Sequence, residues 1–141
     1  MTVAADLVVV AGRAPLGPAA VTAIVRAVLR GERQAAAISV TFVGRDRMRG
    51  LNRRFLGASR PTDVLAFALP GPGERLTGDI YICPWVAARE ARRHRVGLRE
   101  ELVRLVVHGT LHVLGWDHPD DESRLRSPMW QRQERYVAAA R

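Results

Sequence analysis

The chain has 141 residues, 48% hydrophobic and 26% charged, a balance that suits one globular domain and excludes a disordered or fibrous chain. No apolar run approaches the ~18 residues of a membrane span, and the single cysteine excludes an internal disulfide. The net charge is +8, every basic residue is Arg, and the surplus lies wholly in residues 1–100, while 101–141 are neutral. GC-rich coding is the plain reading of Arg in place of Lys. It does not account for the placement, which suggests a polyanion-facing surface beside something else.

In chain order, Asp6 to Ala11 (DLVVVA) reads as a short strand. The opening MTVAADLVVVAGR lacks the basic n-region of a secretion signal. A cytoplasmic chain with no membrane association is therefore expected, with Cys83 a buried, reduced thiol. Gly17-Pro18 opens a helix with Val21, Ile24, Val25 and Val28 on one face, and Gly31 is expected to stop it. Ile38 to Val43 alternates as a second strand. Arg45 to Phe55 is helical, with Met48, Leu51 and Phe55 on one face and Arg45, Arg49 and Arg53 on another. Asp63–Phe67 and Asp79–Cys83 are strands flanking PGPGERLTG, either a hairpin connection or a flap. Pro84 starts a helix running to about Arg95, which Gly97 breaks. A longer helix covers Leu98–Leu114 and stops at Gly115. WDHPDDES is irregular, and a last helix covers Ser123–Ala139. The order β-α-β-α-β-β-α-α-α predicts an α+β fold over residues 1–141, with a four-stranded mixed sheet covered by about five helices.

Three of the four histidines fall in H108-G-T-L-H112-V-L-G115-W-D-H118. His108 and His112 are one helical turn apart and leave the same face, close enough for two ring nitrogens to reach one ion at roughly 2.0–2.1 Å. Gly115 suits a chain reversal that returns His118 as a third ligand. Three imidazoles with an open fourth position describe a catalytic zinc site, although imidazole also suits Ni²⁺, Cu²⁺ and Fe²⁺. The bland alternative, helix-face histidines with ordinary hydrogen bonds, fits a lone His better than three at this spacing. The pattern matches H-E-x-x-H-x-x-G-x-x-H of zinc proteases, a zincin-like metal helix, except that Gly109 stands where those enzymes carry their general-base Glu. Peptide hydrolysis is thereby disfavoured. Asp117 either orients an imidazole or transfers a proton.

His108, Gly109, Leu111, His112, Gly115, Asp117 and His118 resemble H-G-x-L-H-L-x-G-x-D-H, the signature of the YbeY family of bacterial endoribonucleases and rRNA maturation factors. Leu51-Asn52, Pro61 to Phe67 (PTDVLAF), Gly78-Asp79-Ile80, Glu101-Leu102 and Met129 also resemble the family's blocks, in order. The resemblance covers roughly residues 38–135. It implies one Zn2+ per chain held by His108, His112 and His118, and cleavage of single-stranded RNA. It further implies maturation of the 16S rRNA 3′ end, ribosome quality control, and partnership with the small ribosomal subunit and an Era-type GTPase. No DNA partner is implied. One departure stands out: many members have Arg in an aromatic-Arg-Gly step, and here the step is Phe55-Leu56-Gly57.

The basic surplus is densest at 42–60 and 89–99. Arg45, Arg49, Arg53, Arg54, Arg60, Arg92 and Arg93 are the candidate RNA contacts, because Arg forks bind phosphate and stack on bases. Solvated helix faces are the plainer reading. Trp85, Trp116 and Trp130 read as core or rim packing, with Trp116 the one expected nearest substrate; His94 is expected to be exposed. The rival functions are a non-catalytic assembly factor that binds rRNA and uses its metal structurally, and a metallohydrolase of peptides or small amides.

Overall fold

A computed structural model describes residues 7–57, 62–70 and 76–141. The elements are β1 (Leu7–Ala11), α1 (Pro18–Glu32), β2 (Ala36–Phe42), α2 (Arg45–Leu56), β3 (Val64–Pro70), β4 (Leu76–Ile82), α3 (Pro84–His94), α4 (Leu98–Val113) and α5 (Pro128–Ala139). A 3-10 turn over Glu122–Arg126 precedes α5. The sheet order is β1-β2-β4-β3, with β1, β2 and β4 parallel and β3 antiparallel to β4. Among the described residues this is the expected mixed four-stranded sheet with five α-helices. β3 and β4 pair from Val64↔Ile82 to Pro70↔Leu76, so the Pro/Gly-rich segment is a hairpin connection. Its residues 71–75 lie outside those described.

Helices α1 and α4 pack on one sheet face, where Val21, Val25 and Val28 meet Ile38, Val40, Ile80, Ile82, Leu102, Val106 and Leu111. A smaller cluster of Val43, Met48, Leu65, Cys83 and Val86 lies apart from it, and Cys83 is buried as expected. The alternation of β2 sends Ile38, Val40 and Phe42 inward and leaves Ser39 and Thr41 half-buried. α4 approaches β4 closely because two glycines face it or sit on it. A Cβ on Gly109 would stand 2.8 Å from Ile80 Cγ2, and one on Gly78 would collide with the Val113 side chain. The helix that carries His108 and His112 is thereby set directly against the sheet.

Two helix boundaries differ from expectation. Gly31 does not stop α1; it lies inside the helix because the Tyr136 ring occupies the space of a side chain there. Arg33 ends the helix instead, in the left-handed region at φ 55°. α3 ends at Arg95 (φ 58°), as expected, and Gly97 caps the start of α4. At both ends, backbone bonds to the last turn, Gln34 N–H to Leu29 and Val96 N–H to Ala91 (both 3.0 Å), offset a left-handed cost of roughly 1–2 kcal/mol. The expected Ser123–Ala139 helix is broken at Ser127-Pro128, where the Ser127 hydroxyl accepts from the Trp130 N–H at 3.2 Å and starts α5.

Candidate functional site

The last turn of α4 closes as the sequence suggests. Gly115 adopts φ +100°; its N–H donates to the His112 carbonyl (3.0 Å) and the Trp116 N–H to that of Leu111 (3.1 Å). This paired closure satisfies the carbonyls that a helix end leaves open. It also turns the chain back so that His118 reaches the other two. Ring centroids are 5.1 Å apart for His108–His118, 6.0 Å for His108–His112 and 6.2 Å for His112–His118.

Each ring is held through Nδ1 by an oxygen that can only accept. His108 Nδ1 donates to Gln133 Oε1 (2.7 Å), His112 Nδ1 to the Trp116 carbonyl (3.0 Å), and His118 Nδ1 to the Pro119 carbonyl (2.7 Å). A carbonyl partner places the proton on Nδ1 and leaves Nε2 bare, with its lone pair available. The work expected of Asp117, orienting an imidazole, is thus done by carbonyl oxygens, and Asp117 instead accepts the backbone N–H of His118 (2.9 Å). Among the described residues no group of three or more His, Cys, Asp and Glu stands in an arrangement that would hold a metal ion. The rings converge without closing, His112 being the exposed one. Three imidazoles whose Nδ1 atoms face carbonyl oxygens and whose Nε2 atoms are left for an ion are nonetheless a donor set that fits zinc.

Position 109 explains the missing glutamate. Gly109 is buried and faces Ile80, so a carboxylate there would enter the core and could not act on a substrate beside the histidines.

Gln133 was not legible as a site residue, although one signal was present. Met129, Gln133 and Val137 form the buried stripe of α5, and an amide in an apolar stripe needs a partner. His108 is that partner, and the Gln133 amide nitrogen donates onward to Glu134 at 3.1 Å. Burial pushes the His108 imidazole below its usual range, against the opposing effect of the Gln133 hydrogen bond. A second anchor lies under Trp116. Its indole N–H donates to Glu32 (2.9 Å), and Arg132 (2.9 Å) and Tyr136 (2.5 Å) converge on the same carboxylate. The residue whose carbonyl fixes His112 is therefore tied to both α1 and α5. Burial raises the Glu32 carboxyl, but these three donors outweigh it and hold the group below the ordinary carboxylate range.

A cleft of about 530 Å³ opens beside His108 and His118, between the start of β3, α3, α4 and α5. Asp63, Glu90, Glu101, Glu134, Arg104 and Trp130 are among its walls, and exposed His94 stands at it too. Arg104 is committed to Glu134 through two bonds of 2.8 and 2.9 Å. Burial raises the carboxyls of Asp63 and Glu101, in the second case against the attraction of Arg104.

The arginines expected to contact RNA stand elsewhere. Arg45, Arg53, Arg54, Arg92 and Arg93 are exposed and Arg49 half-buried, on α2 and α3; none of them lines the cleft. Arg60 lies outside the described residues. Arg49 is 3.8 Å from Asp46 and Arg93 is 3.3 Å from Glu90. Trp85 is 44% exposed, with the guanidiniums of Arg45 and Arg89 at 4.8 and 5.1 Å from its ring centroid, whereas Trp116 and Trp130 are half-buried. Leu56, at the position of the family's Arg, is 62% exposed. No helix among the described residues is long and apolar enough to cross a membrane.

A family model described as "Endoribonuclease YbeY" matches residues 18–141. A Salinispora tropica protein of that description is 41% identical over 138 residues, spanning 86% of this chain and 87% of its own. One from Thermotoga maritima is 38% identical over 100 residues, spanning 71% of this chain and 65% of its own, just under two thirds of that relative's length. A solution structure from Thermotoga maritima is similar with a TM-score of 0.67 at 28% identity, over 95% of this chain and 89% of the other.

Proposed function

The chain belongs to the YbeY family, and on that premise we propose that it is a zinc-dependent endoribonuclease of single-stranded RNA. Its proposed role is maturation of the 16S rRNA 3′ end in the cytoplasm, with the small ribosomal subunit and an Era-type GTPase as partners. The observation that carries the reading is the triplet of converging imidazoles, each with Nδ1 given to a carbonyl oxygen. His108, His112 and His118 would hold the ion through Nε2. When bound, zinc supplies Lewis acidity toward a phosphoryl oxygen and acidifies water. The chain's own groups do the rest. Gln133 and the Trp116 and Pro119 carbonyls keep the three tautomers fixed and stop the rings from rotating. Asp117 anchors the backbone that presents His118. Arg45, Arg49, Arg53, Arg54, Arg92 and Arg93 bind phosphates of the flanking strand, as Arg forks do.

The placement of Gly109 against Ile80 argues against hydrolysis of peptides by a glutamate-assisted route. The test is cleavage of a single-stranded RNA carrying the 16S 3′ end by purified protein, with and without a chelator, beside His112→Ala. Loss of cleavage in both is expected. Cleavage by His112→Ala at the wild-type rate would overturn the proposal, and a folded His112→Ala protein that still supports rRNA maturation would favour the non-catalytic assembly factor.

A further inference from the structure

The cleft beside the histidines has the wrong charge for a phosphate. Asp63, Glu90, Glu101 and Glu134 line it against Arg104 and Arg124, and Arg104 is already bound to Glu134 through two hydrogen bonds. The Glu101 side chain is only 7% exposed, and its contact with Arg104 is 3.6 Å, too long for a hydrogen bond. Its carboxylate lines the cleft with the Arg104 guanidinium as an ion-pair partner, and it keeps lone pairs for a further donor. A carboxylate so placed gains from a neutral N–H donor that enters the cleft. Leu105, Met129 and half-buried Trp130 give the remaining walls an apolar part beside the histidines. The volume, about 530 Å³, falls in the roughly 300–1,000 Å³ range of small-molecule sites. What fits is neutral, planar and rich in N–H donors.

We propose that this cleft receives the base of a nucleotide next to the scissile phosphate, and that Glu101 and Asp63 select bases carrying an exocyclic amine over uracil. The inference rests on the reading of the protein as a single-strand ribonuclease. Division of the strand follows: phosphates run along the Arg faces of α2 and α3, and one base turns inward past His108 and His118. Carboxylates accept from the amine of cytosine, and from the ring N–H and amine of guanine, as in groove readout. Uracil offers one ring N–H and two carbonyls that face the carboxylates unfavourably. Asp63 lines the same cleft, its carboxylate oriented by hydrogen bonds from Thr62 and the Val64 backbone. Trp130 supplies the surface on which the base stacks.

The experiment uses the four free nucleosides, which carry no phosphate, titrated into the intact protein and followed by amide chemical shifts of residues around the cleft. A parallel series of single-stranded RNAs varies one base at a time around the cleavage position. Cytidine, adenosine and guanosine are expected to bind on the order of tenfold more tightly than uridine, with shifts confined to the cleft. Glu101→Gln, which replaces an acceptor by an amide of the same shape, should bring uridine to parity. Equal binding of all four nucleosides to the wild-type protein, or shifts away from the cleft, overturns the inference, whether or not Glu101→Gln folds. The two readings fail separately. RNA cleaved without base preference sinks the base cleft alone, whereas selective nucleoside binding by a protein that cuts no RNA sinks the nuclease alone.

Discussion

Gln133 gives the sharpest test of how the imidazoles are held. Gln133→Met keeps the length and apolar volume of the side chain but removes the acceptor 2.7 Å from His108 Nδ1. Gln133 is 1% exposed, so no bulk water replaces it. The variant then has two states. Either the Nδ1–H stays unpaired, at about 1–3 kcal/mol, or the proton moves to Nε2, the nitrogen that a metal needs. In the second state the ion must displace that proton, so the cost falls on binding. The expected outcome is zinc bound about 5–150-fold more weakly, the same range expressed as an affinity. Competition against a chromogenic chelator reads this directly, without any nuclease assay. Gln133→Glu retains an acceptor for Nδ1 and should bind zinc at least as well as wild type. It gives up the 3.1 Å bond to Glu134, so its penalty should appear in folding stability. Wild-type zinc affinity in Gln133→Met, or equal losses in the two variants, would refute the reasoning.

Gly109→Ala brings a methyl group to 2.8 Å from Ile80 Cγ2 and 3.1 Å from Cδ1. Overpacking of about 1–3 kcal/mol should exceed a helix-propensity gain of about 0.8–1.0 kcal/mol, and denaturant unfolding should show a net loss of up to about 2 kcal/mol; a more stable variant would contradict the close approach of α4 to β4. The Glu134 carboxyl is raised by burial but lowered further by Arg104 and Gln133, and Glu32 is likewise held low. A depressed folded-state pKa contributes stability that is present above the ordinary value near 4.5 and is lost as pH falls through the lowered one. Glu134→Gln should therefore flatten the acid limb of a stability-versus-pH curve, and an unchanged limb would show that the Arg104 pair contributes nothing. Asp63, raised by burial, has the opposite sign, so Asp63→Asn should stabilise the protein at neutral pH, measured as a higher Tm, with the gain vanishing below the ordinary carboxylate range. Arg53→Ala and Arg54→Ala should each lower the slope of log affinity against log salt for single-stranded RNA by about 0.7 if each binds one phosphate, and an unchanged slope removes that residue from the RNA face.

The histidine spacing and Gly115 made the end of α4 legible, because a helix face and a left-handed turn are local matters. Strand alternation and hydrophobic stripes likewise carried the order of elements and the mixed sheet. What could not be read locally depended on a distant partner. Gly31 looked like a helix stop until Tyr136, more than a hundred residues away, was found against it. Gln133 looked like an ordinary helix residue until α5 packed on α4. Arg33 and Arg95 stop their helices without glycine because backbone hydrogen bonds sustain the turn. The cleft is assembled from β3, α3, α4 and α5, and no stretch of sequence contains it. The Arg surplus was visible, but not that its guanidiniums stand outside a cleft whose walls are acidic.

The seating of α4 separates two properties that are often joined in small metalloproteins. Ten residues of this helix are buried, and its contacts with α1, α3, α5 and the sheet owe nothing to an ion. The scaffold therefore stands before loading, unlike a zinc finger, which has no fold to offer an ion in advance. Two of the three histidines ride on that rigid helix, while His118 rides on the irregular stretch after it. A metal held as proposed would take two ligands from a preformed helix and the third from the segment that follows it.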